Sequence, residues 1–252
     1  MGKLLTGKKI LVMGVANQRS IAWGCAQVMA EQGAKLIYTY QNERMKKSVA
    51  KLVTDDTRLV ECDVASDESI QTAFATIKAR FGQLDGLVHA IAKKEELGGS
   101  IPNVTRAGYA LAQDVSAYSL LAVMKEAEQQ ALLKNPASVV TLTYFGSERA
   151  IPNYNVMGVA KAALEANVRY LARDLGTTGI RVNAISAGAM KTLAVTGIRG
   201  HSDLLKVSQE RTADGKSVTL AEIGGTCAFL MSDLSTGLVG DVIYVDKGVH
   251  LI

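Results

Sequence analysis

The chain has 252 residues, 48% of them hydrophobic and 21% charged, a balance that excludes a disordered or collagen-like protein and is ample for a buried core. Its formal net charge of +4 is spread along the chain with no basic block, so there is no case for nucleic-acid binding. The three cysteines, Cys25, Cys62 and Cys227, are far apart and contain no CxxC pair, which points to reduced core thiols in a cytoplasmic protein rather than a disulfide framework.

The N-terminal MGKLLTGKK runs straight into a strand pattern, so no signal peptide is expected. No apolar run approaches the ~18 residues of a membrane span, and no membrane insertion is expected. Residues 9–15, KILVMGV, are a short apolar run with a glycine near its end, the pattern of a buried parallel strand. A loop and a helix follow, with Ser20 as the expected N-cap and Gly33 closing the helix. The next strand is KLIYTY at 35–40. Strand, glycine-containing loop, helix and strand in succession open a dinucleotide-binding fold. The glycines are thinner than the usual fingerprint, because Gly14 and Gly24 are present but GxGxxG is not. A helix start bearing the Ser20 hydroxyl and free backbone N–H groups can still receive a pyrophosphate.

Gln41 follows the second strand, where an acidic residue would ordinarily hold the adenosine ribose. A neutral amide can bond that ribose without strongly repelling a 2′-phosphate. Arg44, Lys46 and Lys47 downstream could favour the phosphate or form the solvated face of a helix. The residues therefore tilt toward NADH and leave NADPH open. A third strand, 58–64, ends in Asp63, suited to an adenine edge, and Ser66 caps a helix with Asp67 and Glu68 in its first turn. In the fourth strand, 86–92, His89 reads as a satisfied core histidine; with His201 and His250 far off, no metal site is expected.

One long helix is expected over about 105–134, then a fifth strand over 138–146 that delivers Tyr144 to the carboxyl edge of the sheet. Pro152 precedes a helix over 154–175 with a small-residue face of Ala160, Ala163 and Ala166. A sixth strand at 180–186 opens into a long Gly- and Thr-rich segment of the kind that binds or covers something. Thr219 and Glu222 form a capping box, and a strand at 241–248 completes about seven strands alternating with helices. The expected fold is α/β: one Rossmann-type doubly wound parallel sheet with helices on both faces, a single domain over 1–252.

Tyr154 and Lys161 are seven residues apart, almost two helical turns, which allows both on one face about 10 Å apart along the axis. A phenol that donates to a developing oxyanion needs a nearby cation to lower its pKa, and a lysine could supply that field while bonding a cofactor sugar. An exposed lysine and an interfacial tyrosine would give the same pattern.

These elements, with the Tyr-Lys pair after the fifth strand, resemble the short-chain dehydrogenase/reductase family, which usually carries Tyr-x3-Lys and a TGxxxGxG loop. Here the spacing is Tyr-x6-Lys and the loop reads GVANQRSIAWG. With YQNER, RAIPNYNVMGVAKAALEANVRYLA, RVNAISAG and TLAV, the chain is similar to the bacterial type I enoyl-acyl carrier protein reductases. The resemblance implies that Tyr154 is the acid group, that Lys161 holds the nicotinamide ribose and that Tyr144 is a second active-site tyrosine. It places Gly14, Ser20, Ile21, Gln41, Asp63, Val64 and Ile91 on cofactor-binding positions. Met190, Lys191, Thr192, Leu193 and Ala194 would meet the cofactor at the start of a substrate-binding loop and helix at about 189–215. It also implies NADH as cofactor, an enoyl-acyl carrier protein substrate and a homotetramer.

Three departures accompany the match. Lys93 follows Ala92 directly, two residues short of the family's usual Phe-Ala; the loop reads SAGAMKTL; and the C-terminus reads DKGVHL instead of the commoner D-G/S-G-F. A carbonyl (3-oxoacyl) reductase using Thr141 or Thr143 beside the tyrosine, and a non-catalytic nucleotide-binding protein, are the competing expectations.

Overall fold

The computed structural model describes residues 2–93, 99–190 and 201–252, with the backbone only for 201–204. Strands β1 (Lys9–Met13), β2 (Lys35–Tyr40), β3 (Leu59–Glu61), β4 (Leu84–His89), β5 (Leu133–Thr143), β6 (Ile180–Ala187) and β7 (Val242–Val245) pair side by side in the order β3-β2-β1-β4-β5-β6-β7. Every pairing is parallel. The strand order reverses between β1 and β4, the point where ligands gather outside the carboxyl ends of such a sheet.

The helices are α1 (Ile21–Glu31), α2 (Glu43–Val49), α3 (Asp67–Phe81), α4 (Arg106–Gln113), α5 (Ser119–Gln129), α6 (Asn155–Gly176), α7 (His201–Glu210) and α8 (Leu220–Met231). Alternate residues of each central strand feed opposite faces, and both faces are covered, which is why the strands read as continuous apolar runs. Leu11 and Met13 belong to the core shared with α3, α5 and α6. Ile10 and Val12 belong to the core shared with α1 and α8.

Most expected elements are present, with shifted ends. The third and fourth strands stop at Glu61 and His89, so Asp63 and Ile91 lie just past the ladder, at the groove. The fifth strand begins at Leu133, five residues early, because Leu133 already pairs with Leu84. The long helix expected over 105–134 is α4 and α5 joined by a π turn at Asp114–Tyr118. That extra residue lets polar groups turn inward: the buried Ser116 hydroxyl accepts from the Lys93 N–H (3.1 Å), and the Ala117 carbonyl accepts from Asn167 (3.1 Å).

Capping follows the sequence at two helices and not at a third. Ser66 accepts from the Ser69 N–H, and Thr219 and Glu222 form the reciprocal box. Ser20 occupies the N-cap position of α1, but its hydroxyl donates instead to the Asn17 carbonyl (2.6 Å). On α6 the buried line runs through Ala160, Lys161, Leu164, Glu165 and Val168; Ala163 and Ala166 are only part-buried.

Candidate active site

The carboxyl edge of β1–β4 forms one side of a groove. Gly14 follows β1 with φ +94°, and a Cβ there would stand 2.1 Å from the Ala90 carbonyl oxygen, so only glycine fits. Ser20 and Ile21 open α1, whose first turn carries no acidic residue and whose first N–H groups lack intrahelical acceptors. A bare glycine turn and a helix start free of negative charge fit a pyrophosphate.

Gln41, just past β2, donates to the Asp63 carboxylate (3.2 Å), which also accepts from the Ala65 N–H (3.1 Å). The two residues singled out from separate strands thus meet at the far end of the groove. Val64 and Ile91 commit their side chains to the α3-side core. Met190, after β6, packs on the opposite core. Lys191, Thr192, Leu193 and Ala194 lie outside the described residues. Of the downstream cations, Lys46 is engaged by Glu43 (3.2 Å) and lies 5.6 Å over the Tyr40 ring.

The β5–β7 edge is different in kind. Tyr144 leaves β5 and meets Tyr154, the residue before α6, edge to face with centroids 5.0 Å apart. Gly146 lies between them: a Cβ would stand 2.7 Å from the Tyr154 ring and 3.1 Å from the Tyr144 ring. Tyr154 borders a cleft of about 630 Å³ whose walls include Gly99, Ile101, Arg149, Pro152 and Val159. Lys161, two turns into α6, is buried and donates to the Leu142 carbonyl (2.7 Å).

Burial governs the electrostatics here. It pushes Lys161 down to about 8, with the Glu165 carboxylate acting in the opposite direction. Burial and then Lys161 take His89 down to about 3. Burial of the Tyr154 hydroxyl raises its pKa, and Tyr144 and then Glu165 add to the rise. The expected lowering of this phenol by Lys161 is not found; at neutral pH Tyr154 is a neutral hydrogen-bond donor. Tyr144 goes up to about 12 through burial and Asp246, with Arg211 opposing.

His89 is the satisfied core residue expected from its strand, its ring nitrogens bonded to Thr141 (3.0 Å) and Ser119 (2.9 Å). Thr143 donates to Glu165 (2.6 Å). Thr141 and Thr143, either of which a carbonyl reductase could use beside Tyr154, therefore both have their hydroxyls occupied in the interior.

Sequence reasoning missed a second set of residues. The Tyr244 hydroxyl donates to Glu148, tying β7 to the loop that carries Tyr144, and its ring stacks on His250 at 3.9 Å. Asp246 accepts from His250 Nδ1 (2.9 Å) and from the N–H groups of Gly248 and His250. Only topology brings these residues of the last strand to position 144. A charged Glu165 one helical turn from Lys161, in phase with buried Leu164 and Val168, was the one available signal.

A family model described as Enoyl-(Acyl carrier protein) reductase matches residues 14–250. The chain is 63% identical over 250 residues to the enoyl-[acyl-carrier-protein] reductase [NADH] FabI of Enterococcus faecalis, covering 98% of this chain and 99% of that one. It is 49% identical to the corresponding Bacillus subtilis protein, also named for NADH, over 98% of this chain and 97% of that one. The crystal structure of the Bacillus cereus enoyl-acyl carrier protein reductase with NADP+ and indole naphthyridinone superposes with a TM-score of 0.94 at 46% identity, covering 100% of this chain and 99% of that one. The matched lengths span the glycine turn, the tyrosine pair and the C-terminal strand alike, and the chain belongs to the enoyl-(acyl carrier protein) reductase family.

Proposed function

We propose that this chain reduces the 2,3 double bond of trans-2-enoyl thioesters carried on acyl carrier protein, with NADH as hydride donor, in the fatty acid elongation cycle. The observation that carries this reading is the pairing of Tyr154 with Tyr144, with Lys161 buried on α6, the helix that Tyr154 precedes, and Thr141 and Thr143 turned inward. Full-length identity to relatives named for NADH supports the cofactor, and the NADP+ complex of the Bacillus cereus relative keeps NADPH open.

Gly14, Ser20 and Ile21 would receive the pyrophosphate, and Gln41, Asp63 and Val64 the adenosine end. Ile91 and the stretch from Met190 through Lys191, Thr192, Leu193 and Ala194 would border the nicotinamide. When bound, the nicotinamide would supply a hydride to the β-carbon of the substrate. Negative charge then collects on the thioester oxygen as an enolate, a protonated Tyr154 donates a hydrogen bond to it, and a proton taken up at the α-carbon completes the reduction. One such donor is commonly worth about 3 kcal/mol of barrier. Tyr144 closes the substrate side of that oxygen, and Lys161 holds the cofactor ribose and keeps the local potential positive. The segment at about 189–215, which includes α7, would bind the acyl chain.

The enzyme works in the cytoplasm as a homotetramer. Tyr109, Tyr118 and Tyr170, exposed along α4–α6, are suitable interface residues. No helix among the described residues is long and apolar enough to cross a membrane.

The deciding assay offers NADH and NADPH, side by side, with a medium-chain enoyl thioester and with a 3-oxoacyl thioester. Faster oxidation of NADH by the enoyl substrate is expected. Reduction of the ketone alone would establish a carbonyl reductase, and cofactor binding without oxidation by either substrate a nucleotide-binding protein.

A further inference from the structure

We propose that Glu165 is a positioning residue for the reaction proposed above: it is the buried counter-charge that keeps Lys161 protonated and fixed against β5. Lys161 and Glu165 are one helical turn apart on α6, on the same face. Each is 6% exposed. Each is bonded to consecutive residues of β5, Lys161 to the Leu142 carbonyl (2.7 Å) and Glu165 to the Thr143 hydroxyl (2.6 Å). β5 therefore fixes the Lys161 and Glu165 side chains through adjacent residues, on one face of α6, at the point where Tyr144 leaves the sheet. A charge this deep is costly unless a partner of opposite sign accompanies it.

The surrounding groups leave little else for either charge. Lys161 faces His89 of β4, which is neutral, and Glu165 of its own helix. Glu165 in turn acts on Tyr154 at the start of α6 and on Tyr244 of β7, both neutral phenols at pH 7. Among these groups Glu165 is the one that opposes the effect of burial on Lys161. Removing its charge would leave that effect unopposed, so Lys161 would lose its proton at lower pH.

Glu165→Gln separates this role from a merely structural one, because the amide oxygen still accepts from Thr143 while the charge is gone. The measurement is kcat/KM against pH, from about pH 6 to 10, with NADH and an enoyl thioester. In the wild type, activity should fall as pH rises through the range near 8 where Lys161 deprotonates. In Glu165→Gln that fall should move down by about one pH unit, lowering kcat/KM several-fold at pH 8 and little at pH 6. Glu165→Asp, which keeps the charge, should keep the wild-type profile. An unmoved profile in Glu165→Gln, or an equal shift in Glu165→Asp, overturns the proposal. NADH affinity against pH, read by fluorescence, should shift in the same way and tests the role of Glu165 even if wild-type protein reduces no enoyl substrate. That last result would overturn the functional reading alone. Should Glu165→Gln fail to fold, a wild-type NADH affinity that does not weaken between pH 7 and 9 overturns the proposal, and one that weakens there while Glu165→Asp follows it supports it.

Discussion

From β3 to β4 the sheet edge offers a glycine turn, a helix start, an amide and a carboxylate that the amide already engages, all positioned by backbone. From β5 to β7 it offers two phenols, a lysine and a glutamate with shifted or buried charges, positioned by side chains that reach across elements. We propose the first half as a cofactor cradle: its geometry follows from where parallel strands end, and a pyrophosphate needs little more than N–H groups at the start of α1. The second half, proposed as the reactive surface, is where burial and close neighbours set protonation states. The halves should therefore fail differently when damaged.

The largest expected effect is in the cradle. Gly14→Ala would combine a positive φ with a Cβ 2.1 Å from the Ala90 carbonyl oxygen. We expect a loss of about 2–5 kcal/mol of stability and no measurable NADH binding, checked by thermal denaturation and fluorescence titration. Wild-type affinity in this variant would mean that the β1–β4 junction does not contact the cofactor.

Tyr154→Phe should do the reverse. It leaves the ring packing against Tyr144 and Gly146 and removes only the donor, so kcat should fall about 100-fold while the Kd for NADH stays within about twofold. Equal loss of both would place Tyr154 in the cradle instead of the chemistry.

The same contrast decides how much was legible in the sequence. The positions of the cradle residues could be read because local rules fix them: Gly14 follows β1, Gln41 follows β2 and Asp63 follows β3. The structure then adds that Gln41 and Asp63 bond to each other. In the reactive half, Tyr144, Tyr154 and Lys161 were legible as a spacing, and His89 as a core residue. The direction of the Tyr154 pKa was not, because it depends on burial that no spacing encodes. Neither were Asp246 and the Tyr244–Glu148 bond, which joins residues 96 positions apart; Glu165 was signalled only by its phase on α6. The break at Asp114–Tyr118 was also invisible, since no proline or glycine interrupts the helical pattern there.

A smaller effect tests the tie between β7 and the reactive loop. Tyr244→Phe keeps the stack on His250 and removes the bond to Glu148. A lost hydrogen bond of ordinary strength corresponds to about a two- to tenfold change. We expect kcat to fall within that range with NADH affinity unchanged, as measured by steady-state kinetics. An unchanged kcat would show that Glu148 does not restrain Tyr144.

The smallest effect concerns Lys247, in the C-terminal DKGVHL, which holds φ +55°. A side chain in that region is strained, yet here it earns a contact: its ammonium reaches Asp214 (2.8 Å), past α7, and Glu222 (3.2 Å), in the first turn of α8. Its carbonyl also accepts from the Ala213 N–H (2.9 Å). Lys247→Gly releases the strain and loses the ion pairs, so it should melt close to the wild type. Lys247→Met keeps the strain and loses the pairs, so it should melt lower. The pairing with Lys247 and nearby backbone N–H groups lower the pKa of Asp214, and backbone and side-chain bonds to Thr219 with Lys247 lower that of Glu222. Depressed carboxylate values add stability above the ordinary carboxylate range, and that stability disappears as pH falls and both groups protonate. The gap between Lys247→Met and wild type should therefore be present at pH 7 and shrink below about pH 4. A gap that persists in acid would assign the loss to packing of the lysine stem rather than to its charge.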